Sequence, residues 1–360
     1  MRHTLCAVDD MEAQATVARA DALCSMGRYD EALRLVSPIL AADAEHLGAG
    51  LTAAVALINL RREAEAMTLL SRVAATHPSS ADALRLMSFA AVRRDDASAA
   101  VAWAERAVEV APWSVDVHLQ RAEALALARR PRDAQDAARR ALELASNSAH
   151  AHLTMAAALL PENLRATPED LDEAERHLQR VLEIEPNHAA AHNELGRIHL
   201  ARKQMFSATS AFARAVHADP SGDVALENMS QVFTRIVWAS HLALWVLWWV
   251  TRSVHKPTTN LRPLVVAVAI AAAVVVLATA LLLRRAIPRG LPNFLRDFRR
   301  REPFAALWGG CVGLSGLALA VMGLVGDEEA PTLHWVAGGA LFIGVLLSWV
   351  RASKAKRASP

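Results

Sequence analysis

The sequence predicts an all-α protein, a solenoid of helical hairpins followed by a bundle of about four membrane-spanning helices. A 34-residue repeat runs through the first two thirds of the chain, and long apolar segments follow from position 236. The charge also changes sign between the two parts. Residues 1–234 carry 24 basic and 32 acidic side chains (net −8), whereas residues 235–360 carry 15 and 5 (net +10). We therefore expect the two parts to occupy different environments.

Alanines mark the repeat, and a proline follows four of them by twelve residues. The alanines are Ala66, Ala100, Ala134, Ala174 and Ala208, and the prolines are Pro78, Pro112, Pro186 and Pro220. Alanine lets two helices approach closely, and proline stops the second helix of a hairpin. Because one hairpin cannot bury its own apolar face, several must stack. The spacing predicts a leader over 1–12 and six units over 13–222, at about 13–46, 47–80, 81–114, 115–148, 149–188 and 189–222.

The fifth unit is longer than the others, with 40 residues instead of 34. Its extra residues fall in 161–170, which we interpret as an extended turn between its two helices. Thr167 and Pro168, followed by Glu169 and Asp170, form the pattern that caps and opens a helix.

Several fragments resemble the tetratricopeptide repeat family, above all GRYDEALRLV at 27–36 and DEAERHLQRVLEIEPNHAAAHNELG at 172–196. The resemblance implies a right-handed solenoid whose first helices line a concave groove that binds peptides or partner helices. It places these residues in the groove: Asp21, Asn59, Asp82, Arg85, Phe89, Arg93, Asp116, Glu123, His150, Asn193 and Arg197. Their charges are mixed, and the alternative interpretation is a solvated face without a single specificity. Some members hold a chaperone's C-terminal carboxylate with a Lys/Asn/Arg clamp, but the matching positions here are Val17, Asp21, Leu51 and Val55.

Four apolar segments follow the repeats, joined to them by a connecting helix over 223–235. Segments 264–283, 304–325 and 333–350 are long enough to cross a bilayer. The run at 236–250 has 15 residues and becomes long enough only when extended to 254, where Arg252 can snorkel. Its four tryptophans equally suit a helix lying at the membrane interface.

Arginine-rich connections predict the orientation of the spans. The 284–303 loop and the 351–360 tail are basic, whereas the 326–332 connection is acidic. The positive-inside rule places the basic connections in the cytoplasm, and four spans then place the repeats there as well. With three spans, the repeats would lie outside. The basic residues at 252, 256 and 262 conflict with the four-span arrangement.

Within the basic loop, residues 291–301 combine apolar and basic residues at helical spacing. A short interfacial helix on anionic lipid fits this pattern, with Arg296, Arg299, Arg300 and Arg301 facing lipid. Nucleic acid is the alternative ligand for such a cluster, but the adjacent spans favour lipid. Small residues also recur every four positions in the last two spans, at Gly309 and Gly313 and at Ala340, Gly344 and Ser348, which suits helix packing within the bundle or between protomers.

Histidines are the strongest candidates for a reactive or metal site, and neither role is favoured. His118, His152 and His192 take equivalent positions in three units, but packed helices lie about 8–10 Å apart, whereas imidazole nitrogens bind Zn²⁺ at about 2.0–2.1 Å. His188 and His192 could supply half a site without a third ligand. His241 lies inside a predicted span and raises a functional hypothesis. Phosphate-loop and nucleophile motifs are absent from the sequence.

The sequence therefore predicts a membrane-anchored adaptor without catalytic activity or cofactor. Its repeats would bind proteins or peptides at the cytoplasmic face of a bacterial inner membrane, and no nucleic-acid partner is expected. The alternative is a membrane enzyme or transport component in which the bundle acts and the repeats regulate it.

Overall fold

The computed structural model describes residues 2–160, 166–219, 223–254, 262–286, 302–322 and 330–358, together with Arg296, Arg299 and Arg300. All regular structure in these residues is α-helical, which confirms the predicted fold class. The chain divides into two compact units, Met1–Pro186 and Asn187–Pro360. We call them the N-terminal unit and the C-terminal unit.

Five helical hairpins make up the N-terminal unit. Their helices are α1 (Arg2–Ser25), α2 (Tyr29–Ala42), α3 (Leu47–Asn59), α4 (Glu63–Thr76), α5 (Ala81–Arg93), α6 (Ala97–Val110), α7 (Val115–Leu127), α8 (Pro131–Leu144), α9 (Ala149–Leu159) and α10 (Pro168–Ile184). Residues 2–12, predicted as a leader, belong to α1. Each first helix packs on the second helix of its own hairpin and on the first helix of the next hairpin. This stacking buries the face that one hairpin leaves open.

The repeat alanines are points of close helix approach, as predicted. Ala66, Ala100, Ala134 and Ala174 are fully buried in the N-terminal unit, as is Ala208 in the C-terminal unit. Gly50 also sits at such a point, because a Cβ atom there would lie 2.6 Å from Cγ2 of Val73 on α4. Only small side chains therefore fit between the paired helices.

A residue with positive φ reverses the chain inside each described hairpin turn. These residues are Gly27, Arg61, Asp95, Arg129 and Lys203, with φ between 57° and 75°. The amide of the following residue bonds the carbonyl five positions back, as from Arg62 to Leu57 and from Arg130 to Leu125, both at 2.9 Å. This is the Schellman ending of an α-helix, in which the left-handed residue is usually glycine. Here glycine is present only in the first of these turns.

Polar side chains cap many of the helix starts. Ser80, Asp96 and Ser148 each accept a hydrogen bond from the amide three residues ahead, at 3.0–3.2 Å. At the start of α10, Thr167 Oγ1 accepts from the Asp170 amide at 3.1 Å, and Asp170 Oδ2 accepts from the Thr167 amide at 2.9 Å. The predicted cap is thus confirmed as a complete capping box. Positions 161–165 of the predicted extended turn lie outside the described residues.

The C-terminal unit begins with a hairpin and continues into four longer helices. They are α11 (Ala189–Ala201), α12 (Met205–Ala218), α13 (Asp223–Val254), α14 (Arg262–Ala286), α15 (Pro303–Met322) and α16 (Ala330–Ala358). The predicted connector over 223–235 and the predicted span over 236–254 form the single 32-residue helix α13. Likewise, α16 extends beyond the predicted span into the basic tail.

Three helices of the described chain are long and apolar enough to cross a bilayer. They are Val224–Val250, Pro303–Met322 and Thr332–Arg351, and the described part of α14 contributes a shorter apolar stretch, Val266–Ala278. The predicted span at 264–283 lies within the continuous helix α14. Residues 323–325 of the third predicted span lie outside the described residues.

Two apolar clusters hold the C-terminal unit together. One joins the hairpin to the long helices through Phe212 of α12, Met229 and Val232 of α13, and Ala305 of α15. The other contains Leu244, Trp308, Leu319 and Leu341 from α13, α15 and α16. The C-terminal hairpin therefore shares a core with helices that are apolar enough to enter a membrane.

Glycines permit the closest approaches among the long helices. A Cβ atom at Gly316 would collide with Val276, and one at Gly338 would lie 2.7 Å from the Trp248 ring. Of the predicted small residues, Gly344 lies against His241 and Trp308, whereas a Cβ atom at Gly313 would have no neighbour within 4 Å. The tight packing thus involves Gly316 rather than Gly313.

Candidate functional site

The first helices of the N-terminal unit form one continuous face, because α1, α3, α5, α7 and α9 pack in sequence. We call it the first-helix face. Every 34 residues an equivalent position recurs on this face. One such row contains Val17, Leu51, Arg85, Leu119 and Leu153, and another contains Asp21, Val55, Phe89, Glu123 and Ala157.

The part of the first-helix face on α1, α3 and α5 is apolar. Val17, Leu51, Val55 and Phe89 are partly buried and pack against the main core of the unit. Their remaining exposure leaves an apolar strip beside which Asp21 accepts a hydrogen bond from the hydroxyl of Thr52. Such a strip suits contact with apolar side chains of a partner.

The part on α5, α7 and α9 is charged. Arg85 Nε lies 3.6 Å from Asp82 Oδ1. Burial raises the pKa of the Glu123 carboxyl, and the positive charges of His150 and Arg85 oppose that rise. The predicted residues Arg85, Glu123 and His150 are thus close enough to interact electrostatically, although they belong to three different hairpins.

The other predicted groove residues of this unit lie at the edges of these two parts. Asn59, Arg93 and Asp116 are exposed, as is His150. Counted over the whole N-terminal unit, 28 acidic side chains face 20 basic ones, a net charge of −8. The unit therefore attracts positively charged partners over long range.

In the C-terminal unit, the structure places two predicted groove residues in internal contacts. Asn193 is 8% exposed, and its Oδ1 atom accepts a hydrogen bond from Asn228 Nδ2 of α13 at 2.9 Å. Arg197 is paired with Glu194 at 2.7 Å. The sequence repeat alone did not reveal that α13 covers this position.

The repeated histidines bond to the turns instead of binding a metal. His118 Nε2 donates to the Pro112 carbonyl at 2.8 Å, and His152 Nε2 donates to the Ser146 carbonyl at 3.1 Å. In both cases the acceptor lies six residues earlier, in the turn that joins two hairpins. Among the described residues, no group of three or more His, Cys, Asp or Glu side chains is placed to hold a metal ion.

His152 also contacts a histidine that the sequence analysis did not identify. Its Nδ1 atom lies 2.9 Å from Nδ1 of His177 on α10. Since His152 Nε2 already donates to a carbonyl, the neutral His152 ring accepts at Nδ1 and His177 donates. Burial lowers the pKa of both histidines. Only the pairing of α9 with α10 could reveal this contact.

Polar side chains of the long helices form a few buried or half-buried contacts. Trp308 Nε1 donates to His241 Nδ1 at 3.1 Å, and Trp248 Nε1 donates to the His334 carbonyl at 3.1 Å. Glu302 at the start of α15 pairs with Arg351 of α16 at 2.9 Å. In the predicted lipid-facing cluster, Arg296, Arg299 and Arg300 are exposed, whereas Arg301 lies outside the described residues.

Residues 23–88 and 167–227 match the family model described as tetratricopeptide repeat. The chain belongs to the tetratricopeptide repeat family. The repeats were thus identified correctly from the alanine and proline spacing. No curated protein matches the chain.

Solved structures show the same repeat fold. A tetratricopeptide repeat protein from Parabacteroides merdae ATCC 43184 is 14% identical, with a TM-score of 0.52, over 61% of this chain and 84% of its own. TTC0263, a thermophilic protein of this family from Thermus thermophilus, is 22% identical over 53% of this chain and 99% of its own, with a TM-score of 0.47. YrrB, described as having an unusual peptide-binding site, is 20% identical over 53% of this chain and 96% of its own, with a TM-score of 0.37.

Proposed function

We propose that this tetratricopeptide repeat protein is a membrane-anchored adaptor that captures a protein segment on its first-helix face. The observation that carries the proposal is the apolar strip on α1, α3 and α5, which continues into the charged group of Arg85, Glu123 and His150. An extended or helical partner with apolar and basic residues would complement both parts. We restrict the binding face to the N-terminal unit, because Asn193 and Arg197 already have partners in the C-terminal unit.

Anchoring is supported by the three long apolar helices and by the burial of α13 among them. Val237, His241 and Leu244 of α13 are buried, which favours a spanning helix over one lying on the membrane surface. With α14 as a further span, the basic connections and the repeats would be cytoplasmic. Tethering would then raise the effective concentration of the binding face near membrane-bound partners.

Charge reversal on the first-helix face tests the adaptor role. We expect the full chain with Arg93→Glu and Asp116→Arg to lose about tenfold or more of its partner when it is captured from gently solubilised membranes. A matched control carries Arg72→Glu and Glu109→Arg, which are exposed on the second helices α4 and α6 and conserve the net charge equally. Equal capture by both variants would contradict binding at the first-helix face.

Reporter fusions test the membrane arrangement. A reporter after residue 230 and one in the 255–261 connection should report opposite sides of the membrane, with residue 230 in the cytoplasm. If both reporters lie on the same side, α13 does not span, and the repeats face the other compartment.

The buried His241–Trp308 pair is the observation that favours the second candidate, an active bundle with regulatory repeats. In that case His241→Phe would abolish the ability of the gene to restore a deletion phenotype while the protein stays in the membrane. The adaptor proposal expects full restoration by this variant and loss of restoration by the first-helix variant.

A further inference from the structure

A cavity of about 390 Å³ lies among α13, α14 and α15 of the C-terminal unit. Its wall is largely aliphatic and includes Val237, Leu244 and Val276. This volume lies within the range of about 300–1,000 Å³ that is typical of small-molecule sites. Because water needs several polar partners to occupy a cavity, such an apolar wall favours an apolar occupant.

Two glycines of α15 create the open space. Cβ atoms at Gly310 and Gly313 would have no neighbour within 4 Å, whereas one at Gly316 would collide with Val276 of α14. The helices therefore touch at Gly316 and separate one turn earlier, beside the cavity. A larger side chain at position 313 would fill the space without striking a described neighbour.

The cavity also has a basic residue on its wall. Arg299 lines it and is exposed, as are Arg296 and Arg300 nearby in sequence. Basic pockets between membrane helices on the cytoplasmic side suit anionic lipid headgroups. A guanidinium beside an aliphatic cavity matches a molecule with a phosphate at one end and a hydrocarbon chain at the other.

We propose that this cavity holds one acyl chain of an anionic phospholipid, whose phosphate is bound by Arg299. The inference rests on the proposed membrane anchoring, because the lipid reaches the cavity from the bilayer. It would give the anchor a preference for anionic membrane rather than mere affinity for any bilayer.

The test uses the full chain in vesicles with equal amounts of phosphatidylglycerol and phosphatidylcholine that carry the same acyl chains. Native mass spectrometry counts the lipids that remain on the solubilised protein. Wild type should retain phosphatidylglycerol, and Gly313→Leu should lose it, while the control Gly339→Leu should retain it, because a Cβ atom at Gly339 also has no neighbour within 4 Å. Equal retention by the two leucine variants would overturn the proposal.

The arginine is tested by the choice between the two lipids. We expect Arg299→Gln to reduce the preference for phosphatidylglycerol about fivefold, which corresponds to about 1 kcal/mol for one basic residue near the membrane surface. Arg296→Gln should leave the preference nearly unchanged, and inorganic phosphate should not displace the lipid. An unchanged preference in Arg299→Gln would contradict the assignment of the headgroup contact.

Alkaline extraction of the membranes separates this inference from the anchoring proposal. If wild type remains in the pellet without retained lipid, the lipid site is wrong and anchoring stands. If wild type is released, both proposals fail.

Discussion

The His152–His177 pair links two helices of one hairpin through a single shared proton. The Nδ1 atoms lie 2.9 Å apart, so one ring must donate and the other accept. His177 Nε2 is 3.9 Å from Glu173, too far for a hydrogen bond. A proton added to Nδ1 of His152 would place two N–H groups against each other and break the contact.

This pair predicts a loss of stability in mild acid. Both folded-state pKa values lie below the ordinary histidine value of about 6.5. The unfolded chain therefore binds more protons below that pH, and the contribution of the pair is complete above about pH 6.5 and declines as the pH falls. We expect His177→Gln to flatten the dependence of Tm on pH between 7.5 and 5, as measured by circular dichroism. An unaltered slope would show that the pair does not set it.

Two glycines of α3 provide a matched comparison of packing. Gly50→Ala should destabilise the protein by about 1–2 kcal/mol, because the new methyl group would lie 2.6 Å from Val73 and overpacking outweighs the gain in helix propensity. At Gly48 the nearest atom is 3.5 Å away, so Gly48→Ala should be neutral or stabilising by about 0.5 kcal/mol. Urea unfolding of both variants measures the difference, and equal effects would contradict the close contact of α3 with α4.

Sequence reasoning reached single residues unevenly. Equivalent positions 34 residues apart correctly grouped Arg85, Glu123 and His150, because packing in the solenoid is local and repeats with the sequence. The contacts of Asn193 with Asn228 and of Trp308 with His241 could not be predicted, because each depends on how a later helix packs against an earlier one.

At the scale of elements, the hairpin turns carry strain that their sequences do not remove. Arg61, Asp95 and Arg129 hold positive φ in Schellman endings. A side chain in this conformation costs about 1–2 kcal/mol relative to a right-handed one, whereas glycine avoids the clash but loses more entropy on folding. The turn conformation was therefore dictated by the hairpin and not by a glycine signal.

Replacing one such residue should stabilise the protein. We expect Arg129→Gly to raise the free energy of unfolding by about 0.5–1 kcal/mol. Arg139→Gly supplies the control, since the same replacement in the exposed interior of α8 should cost about 1 kcal/mol. If both variants are destabilised equally, the conformation at Arg129 carries no strain.

At the scale of the whole molecule, the boundary between compact units does not coincide with the end of the repeats. The sequence indicated a division near position 222, where the apolar segments approach. The structure groups the α11–α12 hairpin with the long helices, because Phe212 packs with Met229, Val232 and Ala305. Repeat spacing cannot reveal this division, since the sixth hairpin has the same pattern as the others.

This division predicts which fragments will be soluble. A fragment ending at Pro186 retains the complete N-terminal unit and should be monomeric with a cooperative thermal transition. A fragment ending at Ser230 keeps Phe212 and Met229 but lacks Val232 and Ala305, so it should expose apolar surface and aggregate. Size-exclusion chromatography distinguishes the two, and a well-behaved 1–230 fragment beside an aggregating 1–186 fragment would refute the assignment.

The length of α13 has a mechanical consequence. Its 32 residues measure about 48 Å at 1.5 Å per residue, whereas the hydrocarbon layer of a bilayer is about 30 Å thick. More than a third of the helix must then stand in water, and there it is fused through Phe212, Met229 and Val232 to the last hairpin. A twist of α13 within the bilayer therefore exerts a torque on that hairpin, so the helix works as an axle between lipid and cytoplasm.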